Sequence, residues 1–434
     1  MEFQLLPGGV ISGEARVPGD KSISHRSIML GALAEGTTRV SGFLEGEDAL
    51  ATVAAFRALG VVIDGPEDGE VAVHGVGLHG LQAPAAPLDM GNSGTSMRLI
   101  AGLLAGQGFD SELTGDVSLC KRPMGRVIEP LRLMGANIEG TAEGRPPLRI
   151  RGGQTLRGIH YDLPMASAQV KSCVLLAGLY AGGVTSVTEP APTRDHTERM
   201  LRGFGYSVAT EAGTISLEGG GRLQAAEIDV PADISSAAFF LVAASIAPGS
   251  DLLLTHVGIN PTRAGVITIL RLMGADITLK NHREVGGEPV ADIRVRHAPL
   301  QGIEIPREQV PLAIDEFPAL FIAAACASGR TVLRGAEELR VKESDRIAAM
   351  AAGLDTLGVH NEVLEDGIII DGGALGGGII HTCHDHRIAM SFAIAALRAS
   401  AEIRILDCDP VATSFPGFDA LARGLGLQIS ARVD

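Results

Sequence analysis

The sequence predicts an α/β protein of two domains, each containing three repeats of a βα unit of roughly 70 residues. Two series of residues predict this repeat. In the first series, a helix-like segment ends in an apolar residue and a glycine before a strand-like run; the six glycines are Gly60, Gly135, Gly205, Gly274, Gly358 and Gly426. In the second series, an Ala-rich apolar helix begins behind a capping residue. The six expected caps are Ser24, Ser93, Ser167, Ser235, Asp315 and Asp385.

Each unit reads in order as buried helix, strand, amphipathic helix ending in glycine, strand, turn and strand. The run at 184–189 is typical of the first strand. The first helix is apolar on nearly all sides, as from Ser235 to Ala247, and this pattern predicts burial against neighbours. Its charged and polar residues gather at the N-terminal end. We therefore expect the functional residues at six helix N-termini.

The two chain ends set the predicted domain boundaries. The sixth unit stops after the strand near 427–430, one strand short, whereas residues 1–18 contain two strand-like pieces, Phe3–Leu6 and Gly13–Val17. We expect the N-terminal segment to complete the last unit. The predicted domains are therefore 21–230, and 1–20 together with 231–434, joined by a hinge that the chain crosses twice.

Composition excludes several classes of protein. The net charge of −15, with 3% aromatic residues and no Trp, argues against binding to nucleic acid. No apolar run reaches the roughly 18 residues that a membrane span needs, and the start of the chain lacks a secretion signal, so we expect a cytoplasmic protein. The five cysteines are scattered and have no CxxC spacing, which predicts neither disulfides nor a zinc site.

Positive charges recur at equivalent positions near helix starts, where free N–H groups and the helix dipole favour anions. The starts of the buried helices carry Lys21, Arg26, Arg98, Lys171 and Arg387, and the starts of the second helices carry Arg122, Arg194, Lys342 and Arg346. An acidic protein with basic groups concentrated in this way suits a small polyanion as ligand. No ligand spacing around His381 and His384 supports a metal.

Four sequence motifs indicate the chemistry. The motif at 18–27, PGDKSISHRS, suits a phosphate or carboxylate at a helix start, although without the upstream glycine of a nucleotide-binding P-loop. The motif GNSGTSMR at 91–98 lets the backbone approach a ligand closely. Ser167, Gln169 and Lys171 supply a hydroxyl, an amide and a cation for a polyhydroxylated phosphate. RVKESDR at 340–346 is either acid/base machinery or a solvated helix face.

Eight motifs, in order along essentially the whole chain, resemble the 5-enolpyruvylshikimate-3-phosphate synthase family, and among its members the divergent second class. The motifs are PGDKSISHRS, GNSGTSMR, KRPMGR, SAQVKS, TRDHTE, the Asp315 segment, RVKESDR and DHRIAMS. The resemblance implies an inside-out α/β barrel with helix N-termini directed into a cleft. It also implies that the 5-hydroxyl of shikimate 3-phosphate adds to C2 of phosphoenolpyruvate and that the resulting ketal loses phosphate, with no metal or cofactor.

The resemblance also assigns site residues. It implies Asp315 and Glu343 as proton-transfer groups, assisted by Lys21. The implied ligands of shikimate 3-phosphate are Lys21, Ser22, Arg26, Ser167, Ala168, Gln169, Arg194, Asp315 and Lys342. The implied ligands of phosphoenolpyruvate are Lys21, Gly94, Arg122, Gln169, Arg346 and Arg387. Gly94 would leave room for the longer inhibitor glyphosate, so the resemblance implies a sensitive enzyme.

Some positions depart from the pattern of the plant and enteric enzymes. Glu338, Thr193, His196 and Thr413 replace an Asn, a Ser, a Tyr and a Lys, and we do not assign Thr413 as a ligand. Ser96 and Leu99 replace the Ala and Pro of the commoner glycine-rich stretch.

Two other functions compete with this interpretation. One is the sister enzyme UDP-N-acetylglucosamine enolpyruvyl transferase, whose catalytic cysteine lies several residues before its Ala-Arg-Pro; Cys120 lies only two residues before Arg122. The other is a non-catalytic repeat scaffold, which the confinement of polar residues to helix starts disfavours. We expect a monomer that binds small molecules only.

Overall fold

The computed structural model describes residues 1–432, and over that range it contains 12 α-helices and 24 β-strands. The α-helices are α1 (Lys21–Leu33), α2 (Glu47–Ala58), α3 (Gly94–Leu104), α4 (Gly125–Leu133), α5 (Ala168–Gly178), α6 (His196–Gly203), α7 (Ile234–Ile246), α8 (Gly265–Leu272), α9 (Phe317–Cys326), α10 (Arg346–Thr356), α11 (His386–Ala395) and α12 (Phe418–Leu425). Six short 3-10 helices cover Leu119–Lys121, Arg307–Gln309, Ile314–Glu316, Glu337–Val341, Ala396–Arg398 and Asp409–Thr413.

The strands alternate with these helices along the chain. They are β1 (Glu2–Gly9), β2 (Ser12–Ala15), β3 (Ala34–Ser41), β4 (Val62–Glu67), β5 (Glu70–Val76), β6 (Leu88–Asp89), β7 (Ser111–Thr114), β8 (Asn137–Glu139), β9 (Leu148–Arg151), β10 (His160–Asp162), β11 (Val184–Thr188), β12 (Ala209–Glu211), β13 (Thr214–Glu218), β14 (Leu223–Gln224), β15 (Glu227–Asp229), β16 (Asp251–Gly258), β17 (Asp276–Val285), β18 (Glu288–Arg296), β19 (Arg330–Leu333), β20 (Asn361–Leu364), β21 (Gly367–Asp371), β22 (Gly378–His381), β23 (Ile403–Leu406) and β24 (Leu427–Arg432).

The described chain forms two compact units. The N-terminal unit consists of Gly19–Val230 together with Val285–Glu288. The C-terminal unit consists of Met1–Pro18, Pro231–Glu284 and the chain from Pro289 onward. Each unit has its own hydrophobic core.

The sheets repeat one pattern. Their strand orders are β14-β3-β5-β4, with β15 also on β3, then β6-β7-β9-β8 and β10-β11-β13-β12 in the N-terminal unit, and β2-β16-β18-β17, β19-β21-β20 and β22-β23-β1-β24 in the C-terminal unit. In the second sheet, for example, β6 runs parallel to β7, which follows the buried helix, and β7 then pairs antiparallel with the hairpin strand β9. A βαβ connection followed by a hairpin is therefore the repeating element.

The N-terminal segment completes the sixth unit, as the sequence predicts for its first piece. Strand β1 pairs antiparallel with both β23 and β24, so it occupies the position that a hairpin strand takes in the other sheets. The second piece differs from the prediction. Strand β2 runs parallel to β16 and therefore belongs to the sheet of the fourth unit.

The first helix of each repeat is buried, as predicted. Every residue of α7 is buried, and α7, α9 and α11 contact one another inside the C-terminal unit. In the N-terminal unit, α3 contacts both α1 and α5. An apolar helix stabilises a fold only if apolar neighbours surround it, so the helices lie inside and the sheets outside. This arrangement confirms the predicted inside-out α/β class.

The six glycines that end the second helices all adopt the backbone conformation that the pattern requires. Their φ angles lie between 77° and 116°. Residues with a Cβ rarely adopt this region, so glycine there ends the helix and turns the chain into the next strand.

Three of the six predicted caps are correct and three are wrong. The Ser93, Ser167 and Asp385 side chains cap α3, α5 and α11. Helix α1 is capped by Asp20, which accepts the Ile23 amide at 2.9 Å; Ser24 is the fourth residue of the helix, and its hydroxyl accepts a hydrogen bond from the Leu44 amide.

Asp233, two residues before the predicted Ser235, caps α7 and accepts the Ser235 amide at 2.8 Å. Helix α9 has no side-chain cap, since Asp315 lies in the 3-10 turn before it and its carboxylate contacts Arg346.

Candidate active site

The start of α1 carries a lysine held by a carboxylate. Lys21 is the first residue of the helix and forms an ion pair with Asp48 in the first turn of α2. The Lys21 side chain is 20% exposed, whereas that of Asp48 is 6% exposed. The ammonium group is therefore fixed in direction and still reachable from solvent.

Arg26, one turn further along α1, is buried more deeply than the sequence suggests. Its Nε donates to the Thr197 hydroxyl at 2.7 Å, Nη2 donates to Ser172 at 2.9 Å, and Nη1 donates to the Ser22 carbonyl at 2.9 Å. Burial lowers the pKa of Arg26 to about 10, and the nearby Arg194 guanidinium contributes in the same direction. Arg26 therefore links α1, α5 and α6, with Arg194 close beside it.

The glycine-rich turn before α3 brings together several predicted residues. Arg122 Nη2 donates to Asn92 Oδ1 at 2.6 Å. A Cβ at Gly94 would lie 2.9 Å from Arg98 Nη1 and 3.2 Å from Arg122 Nη1, so the guanidinium groups fill the space that a side chain would take. Arg98 Nη1 in turn donates to Gln169 Oε1 at 2.6 Å.

Arg98 lies between Gly94 and Gln169; the sequence analysis counted it among the cations at helix starts but did not assign it as a ligand. Its place one turn inside the GNSGTSMR motif was the available signal.

The start of α5 supplies the remaining predicted groups of this unit. Ser167 caps the helix, Ala168 follows, and Gln169 Nε2 donates to the Thr95 hydroxyl at 2.9 Å.

Lys171 is a correction to the sequence analysis. Its side chain is 1% exposed, and Nζ lies 2.7 Å from Glu198 Oε1 and 3.1 Å from Glu189 Oε1. The ammonium has no partner in hydrogen-bond geometry in residues 1–432, so its attraction to the two carboxylates is mainly electrostatic. Lys171 therefore neutralises buried charge and is not presented to a ligand.

The C-terminal unit carries a cluster of carboxylates around one buried guanidinium. Arg346, the first residue of α10, donates to Asp385 Oδ2 at 2.8 Å, to Glu343 Oε2 at 2.6 Å and to Asp315 Oδ1 at 3.2 Å. Burial alone would lower the pKa of Arg346, but the three carboxylates outweigh it and the pKa is raised. Burial alone would raise the pKa of Asp385, but Arg346 outweighs it, and the pKa lies below its usual range.

Two further cations border this cluster. Lys342 Nζ lies 3.5 Å from Asp315 Oδ1 and 3.6 Å from Glu338 Oε1. Arg387 Nη1 donates to the Asp315 carbonyl at 2.8 Å. The structure thus gathers the predicted Asp315, Lys342, Glu343, Arg346 and Arg387 at one end of the C-terminal unit.

Thr413, Cys120 and His196 have ordinary structural roles. Thr413 is buried and donates to the Pro410 carbonyl at 2.7 Å. Cys120 has its Sγ 3.3 Å from the Gly115 carbonyl. His196 pairs with Glu288 inside the N-terminal unit at 2.7 Å. Over residues 1–432 no group of three or more His, Cys, Asp or Glu side chains is arranged to hold a metal ion.

The two groups of predicted residues, one in each unit, have a common chemical character. In each unit, the predicted residues lie at or just before helix N-termini, and cations dominate. The C-terminal half adds two carboxylates, Asp315 and Glu343, that share a guanidinium and are 12% and 23% exposed. Such a set can bind phosphate and carboxylate groups and can transfer a proton beside them.

Comparison with known proteins agrees with this geometry. The family profile of EPSP synthase (3-phosphoshikimate 1-carboxyvinyltransferase) matches residues 6–421. The chain is 68% identical to the 3-phosphoshikimate 1-carboxyvinyltransferase of Methylococcus capsulatus over 98% of both chains, and 68% identical to that of Alkalilimnicola ehrlichii over 99% and 97%. The structure of EPSP synthase from Acinetobacter baumannii aligns with a TM-score of 0.90 at 62% identity over 99% of both chains. The chain therefore belongs to the EPSP synthase family.

Proposed function

We propose that this protein transfers the enolpyruvyl group of phosphoenolpyruvate to the 5-hydroxyl of shikimate 3-phosphate and releases phosphate. One observation carries the proposal beyond the family likeness. Asp315 and Glu343 both contact the buried Arg346 guanidinium, and Lys342 and Arg387 border them. The pair of carboxylates can exchange protons, and the cations can hold the anionic substrates in place.

The reaction proceeds in two balanced steps. In the first step, the 5-hydroxyl oxygen bonds to C2 of phosphoenolpyruvate, loses its proton, and C3 gains a proton, which gives a tetrahedral ketal. In the second step, C3 loses a proton while the bond between C2 and the phosphate oxygen breaks. We assign the transfer of these protons to Asp315 and Glu343, with Lys21 assisting, because both carboxylates are partly exposed and both contact the Arg346 guanidinium.

Fixed cations stabilise the charge that develops on the substrate carboxylate and on the leaving phosphate. We assign to shikimate 3-phosphate the residues Lys21, Ser22, Arg26, Ser167, Ala168, Gln169, Arg194, Asp315 and Lys342. We assign to phosphoenolpyruvate the residues Lys21, Gly94, Arg122, Gln169, Arg346 and Arg387. Three of the five N–H groups of the Arg26 guanidinium donate to protein oxygens, so its second Nη1–H and second Nη2–H are the ones that could reach a ligand.

Phosphate release tests the proposal. Purified protein should release phosphate from phosphoenolpyruvate only when shikimate 3-phosphate is present, and UDP-N-acetylglucosamine should not replace it. The Cys120→Ser variant should keep its activity, because Cys120 is not assigned to proton transfer. Release that depends on the nucleotide sugar and on Cys120 would contradict the proposal and favour the sister enzyme.

We also propose that the protein works as a monomer in the cytoplasm. Each unit encloses its own core, so neither needs a second chain to bury apolar surface. No helix within residues 1–432 is both long and apolar enough to cross a membrane. Sedimentation equilibrium and cell fractionation test the two statements.

A further inference from the structure

Three buried hydroxyl groups and one imidazole form a hydrogen-bonded chain beneath the predicted site residues of the N-terminal unit. His25 Nδ1 hydrogen-bonds to Thr52 Oγ1 at 2.8 Å, and Thr52 Oγ1 hydrogen-bonds to Ser96 Oγ at 2.7 Å. Ser96 Oγ hydrogen-bonds to Ser93 Oγ at 2.7 Å. All four side chains are buried. The chain connects helices α1, α2 and α3, and no residue of it except the Ser93 cap has a role in the account so far.

This hydrogen-bonded chain lies directly below two of the proposed substrate ligands. His25 lies one turn below Lys21 on α1, and Thr52 lies one turn below Asp48 on α2. The two helices are therefore joined at two levels, by the Lys21–Asp48 ion pair and by the hydrogen bond below it. Thr52 then continues the chain toward α3, which begins with a phosphoenolpyruvate ligand.

Ser96 and Ser93 connect this pair of helices to the glycine-rich turn. Ser93 Oγ accepts the Ser96 amide at 3.1 Å and caps α3, whose first residue is Gly94. The hydroxyl of Ser96 reaches both Thr52 at 2.7 Å and His25 Nδ1 at 3.3 Å. The spacing between the start of α1 and the start of α3 is therefore set by directional hydrogen bonds as well as by packing.

The His25 imidazole costs folding free energy at this position. His25 is fully buried, and its Nε2 has no hydrogen-bond partner in residues 1–432. An unpaired buried polar atom lowers stability, and an apolar side chain of similar size would avoid that loss. The presence of a histidine is explained if the hydrogen bond of Nδ1 is needed.

The hydrogen-bonded chain of His25, Thr52, Ser96 and Ser93 carries no charge. Burial lowers the pKa of His25 well below its usual value, and the nearby Lys21 and Arg26 cations lower it further. A neutral imidazole with its proton on Nδ1 can donate to Thr52, which donates to Ser96, which donates to Ser93. Every hydroxyl between the imidazole and the cap then has both a donor and an acceptor.

We infer that His25, Thr52 and Ser96 are positioning residues for phosphoenolpyruvate: they hold Lys21 and Gly94, two of its ligands, at the separation that the substrate needs. This inference rests on the proposed function. The three side chains act through Lys21 and Gly94, because none of the three is expected to touch substrate. Gly94 is assigned to phosphoenolpyruvate alone, whereas Lys21 is only one of the nine residues assigned to shikimate 3-phosphate, so loss of these hydrogen bonds should weaken phosphoenolpyruvate binding more than shikimate 3-phosphate binding.

A pair of substitutions at Thr52 tests the inference. Thr52→Val removes the hydroxyl and keeps the shape, so it interrupts the chain in the middle. We expect the KM for phosphoenolpyruvate to rise about threefold to tenfold, the range that one net hydrogen bond supports, while the KM for shikimate 3-phosphate changes less than about twofold. Thr52→Ser restores the hydroxyl and should return both constants to near wild type.

Ser96→Ala breaks the chain at its next member and carries the same test if Thr52→Val does not fold. Thr214→Val is the matched control, since it removes another hydrogen-bonded hydroxyl of the same unit, 2.8 Å from Thr188, on a strand that contains no assigned ligand. The control should leave both KM values unchanged.

Equal rises in both KM values, or a KM for phosphoenolpyruvate within about twofold of wild type in both Thr52→Val and Ser96→Ala, would overturn the inference. Failure of the proposed function would look different. In that case the wild type itself would release no phosphate from the two substrates.

Discussion

The assignment of Lys171 as a buried counter-ion predicts a large loss of stability when its charge is removed. Lys171→Met keeps most of the side-chain volume but leaves Glu189 and Glu198 without their cation, and both carboxylates are less than 10% exposed. Breaking a buried ion pair by removing one partner costs about 3–5 kcal/mol. At about 2–4 °C per kcal/mol for a unit of this size, the melting midpoint should fall by about 6–20 °C.

Tyrosine fluorescence measures this effect in the correct unit. The chain has three tyrosines, Tyr161, Tyr180 and Tyr206, and no Trp, and all three tyrosines belong to the N-terminal unit. The double variant Lys171→Met/Glu198→Gln removes one stranded charge and should recover about half of the loss. Lys121→Met, an exposed lysine of the same unit, is the control and should melt within about 2 °C of wild type.

Lys171→Met also distinguishes a buried counter-ion from a residue that contacts substrate. If Lys171→Met melted with the wild type but raised the KM for shikimate 3-phosphate about tenfold or more, Lys171 would contact the substrate, as its place in the sequence first suggested.

Three further predictions follow from the site. Glu343→Gln should lower turnover by about 10²-fold or more in steady-state assays while the protein stays folded, and near-normal turnover would reduce Glu343 to a partner of the neighbouring guanidinium. Gly94→Ala should weaken the binding of glyphosate more than that of phosphoenolpyruvate, because the added Cβ would lie 2.9 Å from Arg98 Nη1 and 3.2 Å from Arg122 Nη1 and the longer molecule has less room to shift. Inhibition curves for wild type and variant measure this difference, and a wild type that glyphosate does not inhibit would contradict the prediction. The pKa of Asp385 is lower in the folded protein than in the unfolded chain, so at acidic pH the unfolded state binds more protons than the folded state, and the free energy of unfolding in urea should fall below about pH 5. The difference in this free energy between wild type and Asp385→Asn should shrink over the same range, and a constant difference would contradict the prediction.

The fold was largely readable from the sequence because its signals are local. The second helix of each unit passes into the next strand through a residue with φ > 0, and only glycine adopts that region easily, so the six glycines mark the repeat. An all-apolar helix must be buried, as α7 is. These two requirements act within one unit and do not depend on the rest of the chain.

The caps were harder to predict because competing side chains stand close together. Asp20 and Ser24 both precede or begin α1, and Asp233 and Ser235 both stand near the start of α7. Which of them caps the helix depends on what else each can bind. Ser24, for example, receives the Leu44 amide from a loop 20 residues away, and no local pattern reveals that partner.

The candidate site shows the same division. The motifs predicted Lys21, Arg122, Asp315, Glu343 and Arg346 as site residues because each stands at or just before a helix start, and that assignment stays a prediction. They failed for Lys171, which also follows a helix start but meets Glu189 and Glu198, 18 and 27 residues further along the chain, only after folding.

They also missed Arg98 as a connecting residue and gave no indication of the bond between His25 and Thr52. A sequence pattern marks where a side chain begins on the backbone, whereas a role depends on the partners that the fold brings to it.

In the proposed mechanism the enolpyruvyl group moves by addition to C2 and loss of phosphate, and an isotope label in phosphoenolpyruvate tests which bond breaks. Phosphoenolpyruvate labelled with ¹⁸O in the oxygen that bridges C2 and phosphorus is turned over with shikimate 3-phosphate, and both products are analysed by mass spectrometry. Since the C2–O bond breaks in the second step, the account predicts that all of the label leaves with the phosphate and that the product gains an unlabelled C₃H₂O₂ group. Label that remains with the three-carbon fragment would mean that the phosphorus–oxygen bond breaks, and would contradict the account.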